Sequence, residues 1–243
     1  MKSFAFAAMI GATNAYLAAG PGAYMNYLAE YNKVAVNDIN EFELRMANYK
    51  FNDALINGHN NQNNASYTLG HNQFSDWFPV EYKSMLGYVR SPKNNVATTL
   101  PTRHLASEIN WVDAGAVTPV KDQGSCGSCW AFSSTGAMEG AHFVKTGELL
   151  SFSEQQLVSC NTGTGNNGCS GGTQDLAFEY YETYNAELES VYPYASKNAR
   201  KHKCAYDEDS TTSVSVSTYL NVETSNVDQM KAALNKGPTA VAV

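Results

Sequence analysis

The sequence predicts an α+β protein built in two parts, and three observations carry that expectation. Helix-compatible residues dominate the early stretches, while the alternating, strand-like runs fall in the C-terminal third, with one further short strand expected over Tyr67–Trp77. Charge divides the same way: residues 1–104 hold 8 Lys+Arg against 7 Asp+Glu, whereas residues 105–243 hold 8 against 16. All five cysteines (Cys126, Cys129, Cys160, Cys169, Cys204) fall in the second part. With 243 residues, 43% hydrophobic and 12% aromatic, the chain has the material for a packed core. A formal net charge of −7 argues against nucleic acid as a partner.

The elements follow in order. Met1-Lys2, the apolar run Phe4–Ala12 and the small residues Thr13-Asn14-Ala15 read as a signal peptide over residues 1–15. The run is about half of the roughly 20 residues a membrane span needs, so no membrane association is expected after cleavage. From Ala23 to Asn57 the proline-free sequence predicts one or two amphipathic helices. Within this stretch and just past it, Glu41, Arg45, Tyr49, Asn52, Ile56 and Asn60 fall within an arc of about 100° on one helix face. As helix physics alone, such a mixed stripe reads as a solvated face with one i,i+4 ion pair.

Residues Tyr67–Trp77 read as a short strand and turn. Asn64-Ala65-Ser66 is a glycosylation sequon, placing a candidate glycan on Asn64. Ser91–Thr102, polar and carrying Pro92 and Pro101, reads as an exposed linker open to proteolysis.

In the second part, Cys129–Thr146 predicts a helix stopped by Gly147, and Ser153 caps another running to Cys160. The Gly163-x-Gly165-x-x-Gly168 spacing matches a dinucleotide fingerprint on paper. No strand precedes it and no helix opens from it, so it is rejected. Thr211–Leu220 and Gly237–Val243 read as strands.

The chemistry concentrates in Gln123-Gly124-Ser125-Cys126-Gly127-Ser128-Cys129-Trp130. A redox Cys-x-x-Cys pair would expect a βαβ context, which is absent. A zinc site would need a second close ligand pair, and Cys160 and Cys169 are too widely spaced for the usual knuckle. The third reading is a nucleophilic cysteine at a helix N-terminus, where free amides and the macrodipole favour the thiolate. Gln123 would supply an amide donor for an oxyanion.

Cys126–Trp130 satisfies the pattern C-G-[SA]-C-[WY] and so resembles the papain and cathepsin family. The flanks agree: Asn110-Trp111, Gly115–Gly124, Ser153–Cys160, Gly168–Gly172 and Tyr192-Pro193-Tyr194. Upstream, the mixed stripe resembles the interspersed helical motif of cathepsin L type propeptides, with Tyr49 where Phe is usual. Gly70, Asn72, Phe74 and Asp76 are similar to their second motif.

The resemblance implies a cathepsin L-like preproenzyme: signal peptide 1–15, helical inhibitory propeptide 16–104 and a papain-like peptidase domain 105–243. Its right-hand β-barrel part would begin at about residues 213–220. It implies Cys129 as nucleophile, Gln123 as oxyanion donor, and substrate contacts from Gly127, Gly171, Gly172, Thr173, Gln174 and Ala242. Thr173 and Gln174 are more polar than the aliphatic pair expected of cathepsin L. It also selects, from three pairings, Cys126 with Cys169 and Cys160 with Cys204. The partners implied are protein and peptide substrates and the chain's own propeptide, with no metal and no cofactor. The product would be a monomer of the secretory pathway, lysosomal, vacuolar or extracellular. No histidine-bearing insertion lies between Gly172 and Tyr192, which implies an endopeptidase rather than an exopeptidase.

One departure stands out. The family's His and Asn lie about 130–150 residues after the cysteine, and 114 residues follow Cys129. His59, His71 and His104 precede the peptidase domain, His142 lies about 20 Å along the same helix, and His202 sits in a basic run. The expectation is a chain incomplete at its C-terminus and inactive as written. The alternative is a truncated noncatalytic product acting as a propeptide-type inhibitor or binding module.

Overall fold

The computed structural model describes residues 20–33, 38–91, 97–163 and 165–242. The expected signal peptide lies outside them. The chain divides into two compact units, residues 1–83 and 84–243.

In the first unit, Pro21 starts α1 (Pro21–Glu30), where its fixed φ and missing N–H cost nothing. Asp38 caps α2 (Ile39–Asn60) by accepting from the Asn40 amide at 2.8 Å. The core between these helices is aromatic: Tyr24, Tyr27, Leu28 and Tyr49 are buried, with Phe42 edge-on to Tyr24 at 5.3 Å. Buried tyrosines need partners for their hydroxyls. Tyr24 and Tyr27 both donate to the Asp76 carboxylate, at 3.0 and 3.2 Å, and Lys33 meets the same carboxylate at 2.5 Å.

The mixed stripe of α2 is therefore not a solvated face. Arg45 bonds Glu41 at 2.8 Å and grips Glu81 with two nitrogens at 3.0 and 2.7 Å. Tyr49 stacks on His71 at 4.4 Å, Asn52 donates to Ser75 O at 2.8 Å, and Asn60 exchanges two hydrogen bonds with Leu69. Ile56 is half-buried.

The predicted strand over Tyr67–Trp77 does not form; the segment is irregular and ends in turns. The Asn72 side chain accepts from the Phe74 amide at 2.9 Å and Ser75 Oγ accepts from the Asn72 amide at 3.1 Å. These local bonds compete with a strand ladder. Phe74 packs edge-on against Trp77 at 4.9 Å. Gly70 has open space where a side chain would stand, and Asn64 is exposed in a turn. Helix α3 (Pro79–Met85) follows, its last two residues belonging to the second unit.

In the second unit, α4 (Cys129–Thr146) ends at Gly147, whose φ of +80° suits glycine. Ser153 Oγ caps α5 (Glu154–Cys160) by accepting from the Gln156 amide at 3.0 Å. Helix α6 (Gln174–Thr183) packs on α4, and α7 (Val227–Leu234) is capped by Asn226. The core joins Trp130, Ala131 and Met138 of α4 to Phe152, Leu157, Ala177, Tyr181 and Ala186.

Neither C-terminal strand forms: among the described residues there are only isolated bridges, Tyr88 with Gly172, Ala97 with Asn221 and Phe152 with Leu188. Residues 211–220 are tied by single bonds, Thr212 N to Ala186 O at 2.9 Å, Ala186 N to Val214 O at 2.8 Å and Val216 N to Tyr181 O at 2.9 Å. Alternation alone makes no strand without a partner ladder.

The linker differs too. Thr98 donates to Asn221 O at 3.0 Å, and buried Leu100 exchanges bonds with the Gln229 amide at 2.6 and 3.0 Å. Residues 97–99 and 101–104 are both exposed, but the first three are held down by the bonds of Thr98 and Leu100.

Candidate active site

Cys129 is the first residue of α4, half-buried, and a free cysteine among the described residues. The other four are joined as Cys126–Cys169 and Cys160–Cys204. Its neighbours are fixed. Trp130 is wholly buried and donates to Gly168 O at 3.1 Å. Ser128 Oγ lies 2.7 Å from the Tyr194 hydroxyl, which donates to Gln123 O at 2.9 Å. Burial pushes Tyr194 up to about 12, so its hydroxyl keeps the proton this bond requires.

The Gln123 amide is aimed at carbonyl oxygens: Nε2 donates to Cys126 O at 2.7 Å and to Met85 O at 3.0 Å. The loop after it depends on Gly124, at φ +64°, where a Cβ would meet Lys197 O at 2.3 Å.

Residues 85–91 lie along Gly171 and Gly172, a strip of two glycines. Gly172 donates to Gly87 O at 2.8 Å and Val89 donates to Gly172 O at 2.9 Å. A side chain on Gly87 would stand 1.9 Å from Gly127 O. Thr173, Gln174 and Ala242, placed together by sequence reasoning, line one cavity of ≈430 Å³ with Tyr88 and Ser91. Thr173 is buried and donates to Asp175 at 2.6 Å; Gln174 donates to Val241 O at 3.1 Å.

Sequence reasoning missed a charged cluster two residues before Gln123. Lys121 Nζ bridges Glu139 at 2.9 Å and Glu154 at 2.7 Å, both carboxylates 1% exposed. Thr118 and Thr135 donate to the same pair. Burial opposes the Lys121 charge, yet Glu154 and Glu139 outweigh it and hold its pKa up. Burial also raises Glu154, with Lys121 opposing. It missed residues 85–91 as well, whose pairing has no periodicity to reveal it.

None of the five histidines hydrogen-bonds Cys129. His59 and His71 contact Tyr67 O and Asp53, His142 stands edge-on to Phe152, and His104 and His202 are exposed. Among the described residues no cluster could hold a metal ion, and no helix is long and apolar enough to cross a membrane.

A free thiol at a helix N-terminus, a glutamine amide that grips two peptide carbonyls, two disulfides and a helical unit knitted around Asp76 together define the class. Residues 105–243 match the papain family cysteine protease family, and residues 24–82 match the cathepsin propeptide inhibitor domain (I29). The chain belongs to the papain family of cysteine proteases, as a precursor carrying a propeptide of the inhibitor type, and has its fold.

It is 37% identical over 233 residues to cathepsin L of Sarcophaga peregrina, covering 89% of this chain and 67% of that one. Digestive cysteine proteinase 1 of Homarus americanus is 40% identical over 183 residues, covering 73% and 56%. The chain spans 49% and 51% of two probable cysteine proteases of Arabidopsis thaliana. The solved structure of digestive procathepsin L 3 from Tenebrio molitor larval midgut superposes with a TM-score of 0.76 at 30% identity, covering 88% of this chain and 69% of that one. A recombinant stem bromelain precursor gives 0.75, also at 30%, covering 89% and 69%.

Proposed function

We propose that the chain is the precursor of a secretory-pathway cysteine endopeptidase, monomeric and without cofactor, that hydrolyses peptide bonds in proteins. The Cys129 thiolate attacks the scissile carbonyl carbon, and the carbonyl electron pair moves onto oxygen. That oxyanion accepts from Gln123 Nε2 and the Cys129 amide. Collapse breaks the C–N bond, the departing amine takes up the proton the thiol gave up, and a thioester is left; water then gives its hydroxyl to the acyl carbon and its proton to the sulfur, releasing the acid and restoring the thiol. Gly171 and Gly172 hold substrate backbone, while Thr173, Gln174 and Ala242 line the pocket for a neighbouring side chain.

The observation that carries this reading is the Gln123 amide, which already binds a peptide carbonyl, Met85 O, at 3.0 Å. A substrate carbonyl would take that place once residues 85–91 leave. The propeptide inhibits through this occupation, and cleavage in the exposed residues 101–104 releases it.

The thiol also needs a base, and among the described residues no histidine is hydrogen-bonded to Cys129. The 243-residue chain is therefore expected to show no turnover of peptide substrates, while an epoxysuccinyl inhibitor still alkylates Cys129 once the propeptide is removed. Adduct mapping by mass spectrometry tests this, and an adduct on Cys126 instead of Cys129 would overturn the assignment.

A further inference from the structure

Of the eight Lys and Arg after residue 104, four fall within seven residues: Lys197, Arg200, Lys201 and Lys203, with His202 among them. The surrounding unit is acidic, so this run is a local reversal of sign. All five side chains are exposed. Lys197 makes one contact, 3.5 Å to Asp122, with both groups more than half exposed and worth little. Among the described residues Arg200, Lys201 and Lys203 make no ion pair, although Asp207, Glu208 and Asp209 follow closely in sequence.

The backbone beneath these charges is pinned. Cys204 is tied to Cys160, and Ser125 donates to Lys197 O at 2.7 Å. Ala199 donates to the carbonyl of Ser196, whose buried hydroxyl accepts from Gln155 at 3.0 Å and donates to Arg200 O at 3.2 Å. A fixed loop that projects unpaired cations pays less ordering entropy when it binds an extended anion.

We propose that Lys197–Lys203 is a docking site for a sulfated polysaccharide. Dense basic runs of this length serve heparin-like or nucleic-acid ligands. The secretory routing argued above, on which this choice rests, favours sulfated glycans over nucleic acid. Arg200 offers the planar fork that binds sulfate oxygens in pairs, and the lysines act as point charges.

The test is retention of the full 243-residue chain on immobilised heparin, a readout independent of hydrolysis. Despite its net charge of −7, the chain should be retained at low salt. The variant Arg200→Gln/Lys201→Gln/Lys203→Gln should pass through, with the log–log salt slope smaller by about three, about one per cation removed. An unchanged thermal midpoint shows that it folds. The variant Lys145→Gln/Lys231→Gln/Lys236→Gln removes the same charge elsewhere and should elute with the parent. Equal weakening by both variants, or an unaffected loop variant, would overturn the proposal. So would equal displacement by polyglutamate or single-stranded DNA at the same charge concentration, which would make the loop an unselective anion site.

Discussion

Lys121 serves two carboxylates, each 1% exposed, and it does not fully satisfy them: Glu154 Oε2 has no hydrogen-bond partner. Burial raises Glu154 above its ordinary 4.5, with Lys121 opposing, and burial raises Glu189 in the same direction. The folded chain thus holds protons that the unfolded chain releases. The stability this contributes is complete below about pH 4.5 and is lost as pH rises through the raised values. The thermal midpoint should therefore fall as pH rises above about 4.5, and Glu154→Gln should flatten that fall. A variant whose profile runs parallel to the parent's would remove Glu154 from the account. At this scale the free cysteine at the head of α4 was legible because its surroundings are written in eight adjacent residues. The Lys121 cluster was not, since Glu154 lies 33 positions away and no local spacing links them.

Helices with strong end signals were read closely, α4 to its Gly147 stop and α5 to its Ser153 cap. Strand expectations failed because a strand is a property of two segments, and residues 211–220 meet a helix and a loop. The α2 stripe shows the opposite lesson: an odd composition on one face marked hydrogen bonding to residues 69–81. Asp76 anchors that unit. Asp76→Ala should cost about 2–4 kcal/mol by leaving the buried Tyr24 hydroxyl unpaired and by taking one partner each from Tyr27 and Lys33, which keep Asn72 O and Gln73 O. Amide exchange should speed up in α1 and α2 and not in α4. At the glycine strip, Gly87→Ala should break the two bonds with Gly172, because its Cβ would collide with Gly127 O. At about 1 kcal/mol per bond, iodoacetamide should alkylate Cys129 up to roughly thirtyfold faster. An unchanged rate would mean that residues 85–91 do not guard the thiol.

On the scale of the whole chain, the change in charge and cysteine content near residue 104 was visible in composition. The ties of residues 97–100 were not, because Gln229 stands 129 residues from Leu100. Proteases should accordingly cut at 101–104 before 97–100, which N-terminal sequencing of the fragments would establish.

The two disulfides have an outcome of their own in such a cut chain. The rings 126–169 and 160–204 interleave, sharing residues 160–169. Every peptide bond from Cys126 to Cys204 therefore lies inside at least one closed ring. A single nick anywhere in that span frees no fragment, and the clipped molecule should still migrate at full mass on a gel until a reductant is added. A chain cut at any one point across that third of its length remains one covalent object.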